Sequence, residues 1–265
     1  MIVKLVKLVR FIWAYRRLLI SSAQIEVQKR YAGSVLGIYC AVLSPLMFLC
    51  LYMFLYMVIF KVRFPGYSEF DFVAYVIAGL VPFLAVMDVA NASCQSIKTN
   101  IHLARNIIMP IEIIPVRTVL VALVAEVSGL MILIFLFLVS GKLPLAVFAL
   151  PFVFIIQLIF LVGIAWILSA LGALIPDITY IVNILMLFML FVSPIGFQPE
   201  MVPEEMRMII HLNPFYYMLD SFRWVLLERG ALSINLLIFP VIALVTWGAG
   251  AWVFFGLKDV ITDNE

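Results

Sequence analysis

Residues 35–60 contain no charged side chain, and the stretch from Leu143 to Ile175 contains none either. A run of about 20 apolar residues is long enough to cross the hydrocarbon core of a bilayer as an α-helix. Such runs cannot all be hidden in the interior of a soluble fold of 265 residues, whose surface-to-volume ratio leaves too much outside. Composition agrees: 66% of the chain is hydrophobic and 12% is charged, against roughly half and a quarter in globular domains. The solvent for most of this chain is lipid.

Six runs qualify, predicting an all-α integral membrane protein with spans at about 35–60, 72–97, 113–140, 148–175, 178–197 and 232–257. Six spans put both ends on one face. With the N-terminus inside, that face carries seven Lys and Arg before the first span, then Lys98, Arg105, Arg117 and Lys258. The opposite face carries Lys61, Arg63, Lys142, Arg207, Arg223 and Arg229. Inner loops favour Lys and Arg, so both termini are expected in the cytoplasm.

Residues 1–33 do not read as a signal peptide, because Lys4, Lys7, Arg10, Arg16 and Arg17 interrupt every apolar core. At 100° per residue, Lys4, Lys7, Arg10 and Arg17 share one arc. That pattern fits a cytoplasmic amphipathic interface segment drawn to anionic lipid, or a plain positive-inside anchor. Glu26 and Arg30, spaced i,i+4, suggest a second short helix leading into the transmembrane domain of residues 34–265.

Several chemistries are missing. The pair Gly141-Lys142 is followed by Leu, so it makes no phosphate-cradling loop. His102 and His211 have no second ligand nearby, and Cys40, Cys50 and Cys94 have no metal or disulfide spacing. No metal site is expected, no catalytic residue stands out, and a net charge of +2 argues against nucleic acid. Transport fits better than catalysis.

Polar groups inside apolar runs then become the informative residues, since a mid-bilayer charge usually faces protein or a wet cavity. Asp88 and Arg117 lie at similar depth and are expected to form a structural pair. Glu126 is deeper; it either lines a polar path or sits hydrogen-bonded in a helix contact. Phe48, Tyr52 and Tyr56 recur at i, i+4 and i+8, an aromatic stripe that either lines a glycan conduit or belongs to packing and the interfacial belt.

Residues 198–231 are too polar to span. Pro194, Pro199, Pro203 and Pro214, with Asn213 before the last, divide the region. Between them, residues 204–212 and 215–227 read as two short helices, with Pro203 at the first helical position and Glu204 and Glu205 in the first turn. They form either re-entrant outer half-helices between spans five and six, shaping an outer gate, or an ordinary amphipathic hairpin.

Residues 30–46, RYAGSVLGIYCAVLSPL, resemble the approach to the first span in ABC-2 type permease subunits of the polysaccharide export family, which handles O-antigen, capsule and teichoic acid. Residues 98–116, KTNIHLARNIIMPIEIIPV, resemble that family's cytoplasmic loop between spans two and three, and the outer proline segment is a third match. Cys40 and Ser44 depart from the pattern, which usually has Trp and Asn there. The resemblance implies a transport subunit, not an enzyme, in the bacterial inner membrane. It would work as two copies of this chain with two ABC ATPase subunits that bind ATP and Mg, this chain holding no cofactor itself. The substrate would be a lipid-linked glycan, and envelope export proteins are possible further partners. Glu26, Arg30, Lys98, His102, Arg105 and Glu112 would receive the motion of the ATPase. An ABC-2 exporter of drugs or lipids, and a glycan-processing membrane enzyme, are the alternatives. A secondary transporter would show an internal repeat, and the sequence has none.

Overall fold

The computed structural model of the chain describes residues 10, 12–31, 39–62, 64, 66–105, 109–227 and 233–264. Lys4, Lys7, residues 32–38 of the 30–46 stretch, residues 106–108 of the inner loop and residues 228–232 fall outside these. Every regular element among the described residues is a helix.

Helix α1 (Arg16–Tyr31) precedes α2 (Cys40–Met53), which continues through a π-helical stretch at Phe54–Ile59. Helix α3 (Glu69–Arg105) follows, then α4 (Ile113–Ser140). A 3₁₀ turn at Leu145–Ala149 leads into α5 (Leu150–Leu174), and α6 (Ile178–Val192) comes next. A short 3₁₀ turn, Pro199–Met201, precedes α7 (Glu204–Leu212) and α8 (Pro214–Leu227). Helix α9 (Asn235–Asn264) closes the chain.

Local chemistry sets several of these ends. Ser68 and Asp71 form a reciprocal cap at the start of α3. The Ser68 Oγ accepts from the Asp71 amide at 3.2 Å, while Asp71 Oδ2 accepts from the Ser68 amide at 3.1 Å. Helix α4 stops at Gly141, whose φ of +67° only glycine adopts without strain. Pro151 occupies the first turn of α5, where its missing N–H is harmless.

Four helices are long and apolar enough to cross a membrane, Glu69–Ile101, Ile113–Ser140, Leu145–Leu174 and Asn235–Thr262, and they coincide with the expected second, third, fourth and sixth spans. The expected first and fifth spans correspond to shorter apolar helices, Leu46–Ile59 and Ile178–Val192. This is a multi-pass membrane protein. Helix α3 is its axis: 78% of its apolar stretch is buried, against 28% in α9. Helices α5 and α9 make the most extensive pairing. Gly163 permits it, since a Cβ there would sit 2.6 Å from the Thr246 backbone.

The first and last of these helices, α1 and α9, meet at one end of the bundle. Helix α1 packs Ala23 and Val27 against Val121 near the start of α4. Near the C-terminus, the Lys258 ammonium lies 2.5 Å from Glu112, just before α4 begins. That end is termed basal below, and the end bearing α7 the distal end.

Candidate functional site at the basal end

Three ion pairs tie the basal end together. Arg30 donates to both oxygens of Asp88, at 2.6 and 2.7 Å. Arg117 approaches Glu26 at 3.7 Å, and Lys258 donates to Glu112. The expected Asp88–Arg117 pair is therefore corrected: each residue pairs with α1. Similar depth brought Asp88 and Arg117 to the same level of the bundle, but α1 lies alongside and supplies both partners. Glu26 and Arg30 lie together on α1 (Arg16–Tyr31), the short helix that their i,i+4 spacing suggests, and reach across to α4 and α3.

Between α1, α3, α4 and α6 lies an open cavity of about 710 Å³, with Glu26, Arg30 and Arg117 in its wall. Its walls combine the cations Lys29, Arg30 and Arg117 with amides such as Asn91, Gln95 and Asn183. Arg117 is 4% exposed, and its Nε has no hydrogen bond. Asn91 Oδ1 is likewise sealed and unbonded. Buried polar atoms normally find a partner, so these two leave unmet hydrogen-bonding capacity in the cavity wall.

The residues expected to receive an ATPase divide in the structure. Glu26 and Arg30 are the α1 members of the ion pairs, and Arg30 stays 44% exposed at its side chain. Lys98 is half-buried on α3. His102 and Arg105 lie on the last turns of α3, with their side chains outside the described ones. Glu112 is buried; its carbonyl accepts from the Trp166 indole at 3.0 Å and its carboxylate holds Lys258. Residues at this end thus form one bonded unit linking α1, α3, α4, α5 and α9.

Deeper in the bundle, Glu126 is 2% exposed, and neither of its buried carboxylate oxygens has a hydrogen-bond partner among the described residues. Gln157 donates to the Pro82 carbonyl at 3.3 Å, at the break that proline makes in α3. Tyr52 and Tyr56 stack with ring centroids 4.6 Å apart and are buried within the chain, while Phe48 is half-buried against the same core.

The distal end is organised by α8. Asn213 caps it: its Oδ1 accepts from the Phe215 amide at 2.9 Å, and its Nδ2 donates to Ser193 Oγ at 2.8 Å. Pro214 takes the first helical position, which the sequence reading had assigned to Pro203 for α7. Pro203 is instead the N-cap of α7, one residue earlier, with Glu204 and Glu205 in the first turn as read from the sequence. Pro194 is buried in the turn after α6, and Pro199 opens the 3₁₀ turn.

Helix α8 sinks its apolar face into the bundle. Phe215 meets Phe83 edge-on at 5.5 Å, midway along α3. Arg223, which the loop-charge count treated as a surface cation, is 2% exposed. It donates to the Ile195 carbonyl at 3.0 Å and lies 3.6 Å from the Tyr75 ring centroid. A signal for this was present: Phe215, Leu219 and Arg223 fall at i, i+4 and i+8 on the apolar face.

The ABC-2 type transporter family matches residues 17–227. The chain belongs to the ABC-2 type transporter family. The match runs from α1 to the end of α8, so α1 and the distal segment both fall within it. Among relatives of this ABC-2 chain is an O-antigen export system permease protein of Myxococcus xanthus, 27% identical over 228 residues, which span 85% of this chain and 86% of the relative. Another, from Klebsiella pneumoniae, is 28% identical over 228 residues, covering 84% and 86%. A second Klebsiella pneumoniae permease of the same name is 28% identical over 200 residues, or 75% of each chain.

Proposed function

We propose that this chain is the permease subunit of an ATP-driven ABC exporter that moves a lipid-linked polysaccharide, of O-antigen or capsule type, across the bacterial inner membrane. The observation that carries the reading is the likeness to O-antigen export permeases along about 85% of both chains. On this reading two copies of the chain assemble with two ABC ATPase subunits, and those subunits bind ATP and Mg.

The basal end is then the cytoplasmic face, with both termini inside and the helices 46–59 and 178–192 extended to complete six spans. Three ion pairs make α1, α3, α4 and α9 respond together to a push from the ATPase. Such a push shifts the permease between states only through contacts that differ between those states. The burial of α8 supports a re-entrant distal gate, because its backbone would be covered by protein at membrane depth. A hydrated glycan crossing between the two copies would need a wet lining, since each stripped hydroxyl costs several kcal/mol.

Two measurements test the reading. Affinity purification of the tagged chain from native membranes is expected to bring down an ATP-binding subunit in equal amount. Deletion of the gene is expected to trap lipid-linked glycan inside the cell. A chain that purifies alone from mild extracts, in a deletion strain that exports glycan normally, would overturn it.

A further inference from the structure

We infer that the basal cavity between α1, α3, α4 and α6 is a binding site for a phosphate-linked sugar headgroup, with cations for the phosphate and unpaired amides for the sugar hydroxyls. This rests on the exporter reading and assigns its substrate a loading position within a single chain.

Size and composition both support the assignment. About 710 Å³ falls within the range that ligand sites occupy, roughly 300–1,000 Å³. Among its cations, Arg30 is already held by both Asp88 oxygens and serves as a fixed wall. Lys29 is exposed at the rim and has no ion pair among the described residues. Arg117 touches Glu26 only at 3.7 Å and keeps its buried Nε unbonded. Lys29 and Arg117 are thus the two cations with capacity left for an anion.

The amides decide what else the ligand carries. Asn91, Gln95 and Asn183 line the cavity from α3 and α6, and their side-chain amides form no hydrogen bond with any described residue. Gln95 and Asn183 are exposed and water could satisfy them, but Asn91 Oδ1 is sealed. An amide both donates and accepts, which suits a sugar hydroxyl and adds little for a bare phosphate. Glu26 on the same wall would repel a purely anionic headgroup, yet accept from a hydroxyl. An anionic lipid whose headgroup carries no hydroxyls therefore fits less well than a glycosylated phosphate lipid.

The test uses the full transporter, purified with its co-purifying ATPase, in nanodiscs. Binding is measured for three probes: polyprenyl diphosphate carrying N-acetylglucosamine, the same polyprenyl diphosphate without sugar, and phosphatidic acid. The sugar-bearing lipid is expected to bind about tenfold more tightly than the bare diphosphate, on the order of one or two extra hydrogen bonds. Asn91→Leu combined with Asn183→Leu is expected to erase that gap, and Lys29→Ala to weaken both diphosphate lipids. Gln95→Glu, at an exposed position that leaves folding unaffected, is expected to weaken the diphosphate lipids as well. Lys142→Ala, at the distal end, changes nothing. UDP-N-acetylglucosamine added as competitor separates sources: displacement assigns the site to the headgroup alone, and its failure assigns the site to the lipid-borne form. Equal affinity for lipids with and without sugar, or displacement by phosphatidic acid, would overturn the inference. So would full binding and full export by the Asn91→Leu, Asn183→Leu variant. In that last case the deletion strain would still trap glycan, so the exporter reading would survive alone.

Discussion

Lys258 and Glu112 show how burial makes one contact asymmetric. The Glu112 side chain is 8% exposed, whereas that of Lys258 is 38% exposed. Removing Glu112 leaves a lysine that can turn toward water; removing Lys258 leaves a carboxylate with nowhere to go. Lys258→Met is therefore expected to destabilise by about 2 kcal/mol and Glu112→Gln by about 1 kcal/mol or less. Thermal unfolding of both variants in detergent checks the order, and equal losses would refute the asymmetry. The sequence showed all of these charges but not their partners. Depth along a span can be counted at 1.5 Å per residue, which put Asp88 and Arg117 level with one another. Which way each helix turns its face is set by packing, and packing pointed both toward α1. Arg223 was obscured for another reason: a positive residue after a proline-rich loop looks like surface until its helix is seen to be buried.

At the scale of elements, α7 and α8 were legible almost to the residue. Their boundaries follow from proline, asparagine and acidic first-turn residues, which act locally and need no tertiary context. The Asn213 cap has an additional tertiary part, since its Nδ2 also holds Ser193 at the end of α6. Asn213→Ala is expected to cost about 1 kcal/mol for the lost cap and more for the orphaned tie. Trypsin cleavage at Arg207 should accelerate in this variant, while Asn213→Asp, which keeps the capping oxygen, should show a smaller effect. Unchanged cleavage in Asn213→Ala would mean that α8 is held by its apolar face alone. What the sequence left open was whether this pair of helices lies on the surface or enters the bundle. The helical spacing of Phe215, Leu219, Phe222 and Leu226 puts them on one apolar face, but does not say which helices cover it.

For the molecule as a whole, α1, the loop before α4 and the C-terminal turns of α9 share one end, and α7 lies at the other. This makes a topological prediction. In a background lacking Cys40, Cys50 and Cys94, a cysteine at Ser22 or Thr262 should react with an impermeant maleimide only in inverted vesicles. A cysteine at Arg207 should react in intact spheroplasts. The same sidedness for all three sites would contradict the arrangement. Span length and apolar content were determined by sequence alone, because a helix in lipid must satisfy its own backbone and be long enough to cross. The ABC-2 resemblance was legible for a similar reason: its marks are stretches of consecutive residues. Only the tertiary structure decided that α1 bonds to α3 and α4, that α8 is buried, and that Arg117 and Asn91 face a shared cavity. Those facts depend on how helices rotate and approach one another. The small groups that permit such approach, such as Gly163 against Thr246, lie far apart in the chain and carry no local signature.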